Sequence, residues 1–250
     1  VPGAFCGWAL GLVRSRPGNV TEQINGKQWR AYEWLTSGPP LAAPVAAVVT
    51  REVGALLATI HALGVPANRL CPWSSLRLPA TGWPELSEAA AGKGAGWAPE
   101  LAAAVPTLTG LAALSDAPVP AEPVLCHNNL TPGNVRVGAG GCLVVTGWEH
   151  ASGLPPVWEL CAALVNWTVE PGGDVNGPAV RALLDGYGEP PQLTLGSFRG
   201  TATALQNYVA GQVEVALGST DDYADRSVHH LLTHLPTLAT YEQILQHARA

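Results

Sequence analysis

The sequence predicts an α+β fold with more helix than strand, and three patterns lead there. The stretch 123–160 alternates short apolar runs with polar or glycine-rich turns. It reads as a strand over Val124–Cys126, a polar turn over 127–134, a strand over 135–137, a glycine-rich hairpin loop and a strand over 142–146. A second stretch, 44–63, places Val45, Val48, Val49, Val53, Leu56, Leu57 and Ile60 on one helical face, with Pro44 suited to the first turn. From residue 157 to the end the patterning is helical, interrupted by Gly188 and Pro236.

In chain order, residues 1–23 are weakly patterned. Residues 21–24 read as a strand, Asn25-Gly26 as a hairpin turn, and 28–35 as the returning strand. Residues 64–96 read as loop, with Trp73, Trp83 and Trp97 closing over a core. A helix follows over 97–114, interrupted near Pro106, and the proline-rich run 117–123 leads into the central strand. Further helices are expected over 157–169, 179–187 and 195–217, then after Asp221 and Asp222, whose charge favours a helix start, and last over 237–249.

Composition narrows the function classes. At 250 residues the chain is long enough for a sizeable core. A net charge of −6 without a basic run excludes nucleic acid and anionic membranes as partners. Cys6, Cys71, Cys126, Cys142 and Cys161 are scattered, odd in number and without a CxxC pair, which suits free thiols in a reducing cytosol. No stretch has the length and apolarity of a membrane span or a signal peptide, so a cytoplasmic protein is expected. The chain has no Met and begins at Val1, as a start downstream of the initiator or a literal GTG start codon would give. The Ala, Gly, Pro and Arg bias fits a GC-rich bacterial genome.

Polar groups gather at the strand ends of 123–160: His127, Asn128, Asn129 and Asn134, then Glu149 and His150. The stretch resembles the catalytic segment of the aminoglycoside phosphotransferase and choline kinase family, which has the protein-kinase fold. That family shows His-Gly-Asp-Leu-x-x-x-Asn, then Ile-Asp-Trp/Phe-Glu, then Asp-Pro-x-x-Asp-Leu. His127, Leu130, Pro132, Gly133 and Asn134 match the first motif. Trp148 and Glu149 match the second, and Pro156, Trp158, Glu159 and Leu160 the third. The resemblance implies a kinase-like α+β fold. Residues 1–40 would be a truncated small N-terminal lobe and hinge, with Ser37-Gly38-Pro39-Pro40 as the hinge, and 41–250 a mostly helical C-terminal lobe carrying the hairpin.

Two departures bear on activity. Asn129 stands where the family has its catalytic Asp, and Gly147 where it has the metal-binding Asp. In kinases the first carboxylate accepts the substrate hydroxyl proton and the second holds Mg²⁺ against the phosphates. An amide is no base near neutral pH, and glycine offers no ligand. The family's phosphate-covering loop and its Lys have no counterpart before Lys27. The expected protein is therefore not a working kinase and uses no metal or cofactor.

His127, Asn129, Glu149 and His150 are the candidate catalytic residues; Asn128, Asn134 and Trp148 are candidate substrate contacts. His127 reads either as a residue that holds the loop, its role in the family, or as a general base. The use this suggests is ATP-independent chemistry on a peptide or small molecule in bacterial specialised metabolism, such as closing a thioether (lanthionine-type) ring. One alternative is a non-catalytic pseudokinase scaffold binding a leader peptide or a partner biosynthetic enzyme. The other is a weak phosphotransferase with Glu149 and Asn134 holding Mg²⁺.

The remaining polar residues read more plainly. His61 fits a buried histidine satisfied by a backbone carbonyl. His230 and His234 share a helix face with His229 nearby, but without HExxH or a third ligand they read as solvated or packed. Cys126 and His127 should point to opposite faces of their strand, and Cys142 and Cys161 read as small core residues.

Overall fold

The computed structural model describes residues 11–34, 36–219 and 221–249. In chain order these form β1 (Leu12–Val13), β2 (Glu22–Ile24), β3 (Lys27–Trp29), β4 (Ala31–Tyr32), β5 (Ser37–Pro40), α1 (Ala47–Ala62), α2 (Pro72–Ser75), α3 (Trp83–Lys93) and α4 (Ala98–Ala112). Then come β6 (Val124–Cys126), β7 (Val135–Gly138), β8 (Leu143–Val145), β9 (Ser152–Leu154), α5 (Pro156–Thr168), α6 (Gly177–Tyr187), α7 (Arg199–Gly218), α8 (Asp222–Thr233) and α9 (Leu238–Arg249). The chain divides into two compact units. One holds the described residues up to Ala42 together with Asn129–His150; the other holds Ala43–Asn128 and the chain from Ala151 onward. The hairpin 129–150 thus groups with the N-terminal segment.

In the first unit β2 and β3 form the expected hairpin. Asn25 and Gly26 both take positive φ, 52° and 75°, as a two-residue Asn-Gly turn requires. The strand expected over 28–35 is split into β3 and β4, and Leu35 lies outside the described residues. β4 pairs with β1. The expected hinge Ser37–Pro40 is instead an edge strand: β5 pairs antiparallel with β7, with a register shift between Ser37 and Pro40. Two prolines suit an edge, where a missing N–H breaks no ladder. β7 pairs in turn with β8, whose Leu143, Val144 and Val145 are all buried.

The second unit is helical apart from the antiparallel pair β6–β9. α1 starts at Ala47 rather than Pro44, after an extended Ala46. The region 64–96 corrects the expectation of loop, because α3 occupies its second half. Its signals are a proline and Glu85 in the first turn, Trp83, Leu86 and Ala90 on the buried face, and Gly94 closing it at φ 70°. With alanines at several of the remaining positions the apolar stripe has little contrast, so periodicity alone misses it. α4 runs through Pro106 without the expected interruption. Trp83 and Trp97 are buried in a core with Leu86, Leu101, Leu108 and Val213, while Trp73 is 43% exposed and closes nothing.

Thiols also depart from expectation. Cys71, Cys126 and Cys161 are free, but Cys142 is disulfide-bonded and only partly buried. Cys6 lies outside the described residues. No described helix is long and apolar enough to cross a membrane.

α1 and α6 meet along two glycines. A Cβ on Gly54 would strike the Leu183 carbonyl, and one on Gly186 the Arg51 carbonyl. This close approach sets His61, at the end of α1, beside Tyr187, at the end of α6. Gly54→Ala should therefore cost about 1–3 kcal/mol through overpacking. Urea unfolding of the variant would read this as a lower midpoint with an unchanged m-value.

Candidate functional site

The functional segment is built from two local constructions, one in each unit. In the helical unit the node is the Glu159 carboxylate, in the first turn of α5 and only 2% exposed. A buried carboxylate must be surrounded by donors. Glu159 Oε2 accepts from the His127 backbone N–H at 3.2 Å, and Oε1 accepts from the Asn128 N–H at 2.6 Å. His61 Nε2 lies 2.9 Å from Oε2, and His61 Nδ1 lies 2.9 Å from the Tyr187 hydroxyl. Burial, with Cys126 and Glu159 nearby, raises the Tyr187 phenol above its usual range, so it keeps its proton.

His61 is thus a buried histidine, but its partners are a carboxylate and a phenol rather than the backbone carbonyl expected. Sequence reasoning missed Tyr187 altogether and counted Glu159 only as part of a motif. The single available signal was a buried-looking acid three residues after a helix-starting proline. Asn128 takes φ 66°, the left-handed conformation that Asn tolerates, so the turn survives without a glycine. His127 is fully buried. Its backbone N–H is anchored on the Glu159 carboxylate.

In the other unit, Asn129, Asn134 and Gly147 are drawn together by the β7–β8 hairpin. The Asn134 side-chain amide donates to the Asn129 backbone carbonyl at 2.8 Å. The Asn134 carbonyl accepts from the Thr146 N–H at 2.9 Å and the Thr146 hydroxyl at 3.2 Å. Gly147 sits at φ 84°, and a Cβ built on it would stand 2.9 Å from the Asn134 amide carbon and nitrogen. The space for a side chain at 147 is therefore filled by Asn134. Trp148 Nε1 donates to the Val145 carbonyl at 3.2 Å. Glu149 and His150 follow on a short 3₁₀ turn, 73% and 56% exposed at their side chains, with 3.8 Å between His150 Nε2 and Glu149 Oε1.

Of the predicted residues, the structure brings Asn129 and Asn134 together and pairs Glu149 with His150. Glu149 is exposed to solvent beside His150. The distal histidines behave as expected of solvated residues. His229 pairs with Glu100 at 3.2 Å, and the His230 and His234 rings lie 4.3 Å apart, tilted by 40°. The sulfur of Cys126 completes a buried group with His61 and Glu159, the three ligand-type atoms lying within 4.8 Å of one another.

A family profile described as the phosphotransferase enzyme family matches residues 12–193. Among solved structures, a spectinomycin phosphotransferase, APH(9)-Ia, in complex with ADP and spectinomycin superposes with a TM-score of 0.62 at 14% identity, over 98% of this chain and 79% of that one. An aminoglycoside phosphotransferase from Alicyclobacillus acidocaldarius gives 0.61 at 13% identity, over 97% and 75%. The choline kinase LicA from Streptococcus pneumoniae gives 0.58 at 16% identity, over 94% and 76%. At these identities the likeness concerns the fold. No curated protein matches in sequence.

Burial pushes the Cys126 and Cys161 thiols far above the ordinary range, with the Glu159 charge adding to the shift at Cys126. Both should stay protonated and unreactive at neutral pH. Iodoacetamide followed by peptide mass analysis should label Cys71 in the native protein, and Cys126 and Cys161 only after unfolding.

Proposed function

Since the chain belongs to the phosphotransferase enzyme family, we propose that it is a member whose site binds a polar small molecule or peptide without transferring phosphate. One observation carries the reading. Where the family places its metal-binding Asp there is a glycine whose side-chain space is taken by the Asn134 amide. With Asn129 in place of the catalytic Asp, neither member of the carboxylate pair remains. Phosphoryl transfer depends on metal-assisted neutralisation of charge on the phosphates. Amides supply hydrogen bonds but no such charge.

The chemistry that remains is recognition. Asn129 and Asn134 offer paired donors and acceptors on the hairpin, and Trp148 lies close behind them in sequence. A pair of side-chain amides can satisfy a peptide group or a neutral polar ligand without a cation. The loop-holding role falls to His127, whose burial removes it from proton transfer to a ligand. That weighs towards the pseudokinase reading, in which a leader peptide or a partner enzyme is the bound species.

Metal-free proton transfer is the second reading, and the exposed Glu149–His150 pair favours it. An accessible imidazole beside a carboxylate is suited to deprotonating a thiol for thioether ring closure. His150→Ala would abolish turnover on this reading and leave peptide binding intact on the first.

Both readings predict that Mg-ATP leaves the melting temperature unchanged and that no labelled phosphate reaches an acceptor. Saturable, Mg²⁺-dependent stabilisation would instead mark a working kinase. Gly147→Asp should not restore transfer. It should cost about 1–3 kcal/mol, because a β-carbon at this positive φ crowds Asn134; calorimetric unfolding of the variant reads the loss.

A further inference from the structure

We propose that His61, Cys126 and Glu159 form a binding site for a zinc-class divalent ion, built into the helical unit and independent of the functional reading above. The three residues come from α1, β6 and α5, and all are buried. They offer an imidazole nitrogen, a sulfur and a carboxylate oxygen within 4.8 Å of one another. This donor set belongs to a borderline-soft ion; a hard ion such as Mg²⁺ would call for oxygen alone.

The dimensions fit with small movements. Tetrahedral zinc with bonds of about 2.0–2.3 Å holds its ligand atoms about 3.3–3.6 Å apart. The present His61–Glu159 contact of 2.9 Å would open by a few tenths of an ångström. Cys126 Sγ would move inward from its 3.5 Å contact with the Leu154 carbonyl.

Supporting groups around the ligands are already in place. Histidine ligands use one ring nitrogen for the metal and the other for an outer hydrogen bond that fixes the tautomer. His61 has this arrangement, with Nε2 facing Glu159 and Nδ1 at 2.9 Å from the Tyr187 hydroxyl. Glu159 keeps its 2.6 Å bond from the Asn128 N–H through the other oxygen.

The proton balance is simple. His61 Nε2, which donates to the Glu159 carboxylate in the metal-free protein, gives up its proton as the ring takes one on Nδ1, towards the Tyr187 hydroxyl, and so presents a lone pair to the ion. Cys126 loses its thiol proton to solvent, so one proton is released per ion bound. A water fills the fourth position. The ion then ties α1, β6 and α5 together and, through Glu159, braces the backbone at His127 and Asn128.

Cobalt(II) titration of the reduced, metal-stripped protein tests this. The expected result is one cobalt per chain in native mass spectra. A thiolate-to-cobalt charge-transfer band should appear with it, be displaced by zinc, and accompany release of one proton. Cys126→Ser and His61→Gln should each abolish the band. Cys71→Ala and the double variant His230→Ala/His234→Ala should leave it at full strength. Absence of a thiolate–cobalt band in the parent protein overturns the proposal, a result that does not depend on any variant folding. So does a band that survives in folded Cys126→Ser, or one lost only in Cys71→Ala.

Discussion

The structure depends on one buried carboxylate. Glu159 is withdrawn from water, and its oxygens are met by the N–H groups of His127 and Asn128 and by the His61 ring. Hydrogen bonds to a charged group contribute about 1.5–3 kcal/mol each, and removing one partner of a buried pair costs about 3–5 kcal/mol. Those magnitudes rival a whole domain's net stability. The clamp also has a chemical peculiarity: it holds the loop by the peptide N–H groups of His127 and Asn128. The loop can therefore change its side chains without losing its path, provided residue 128 tolerates a positive φ. Asn128 does.

That separation explains how a catalytic loop can keep its shape while its charge disappears. On the hairpin, the Asn134 amide bonds the Asn129 carbonyl, and Thr146 bonds the Asn134 carbonyl. These contacts brace the β7–β8 turn whether or not residue 147 has a side chain. Gly147, at φ 84°, lets the Asn134 amide close over the position where a carboxylate would project. The hairpin is thus closed by neutral hydrogen bonds.

Much of this was legible beforehand, because the informative features are local. The Asn25-Gly26 turn, the β6 to β8 succession, the departures at 129 and 147, and the tolerance of Asn128 for a left-handed turn all depend on residues close in sequence. What was not legible depends on partners far apart. The Glu159 node joins positions 61, 127, 128 and 187, and nothing in the spacing of these residues announces it. The edge strand Ser37–Pro40 looked like a hinge because its prolines disguise pairing that only β7 supplies. Helix α3 was hidden for a different reason: its alanines bury well but contribute little amphipathic contrast.

The two constructions answer to different physics, and this limits what the fold can say about activity. Packing and backbone clamps reproduce a path through space, which is why chains sharing 13–16% identity superpose over most of their length. Phosphoryl transfer responds instead to a handful of charges at fixed positions. Replacing a carboxylate with an amide of the same shape barely disturbs the first property, yet it takes away a charge on which the second depends. A fold likeness averages over the whole chain and is insensitive to two residues in it. Catalytic charge is decided at those two positions, and at both of them this chain carries a neutral residue, Asn129 and Gly147.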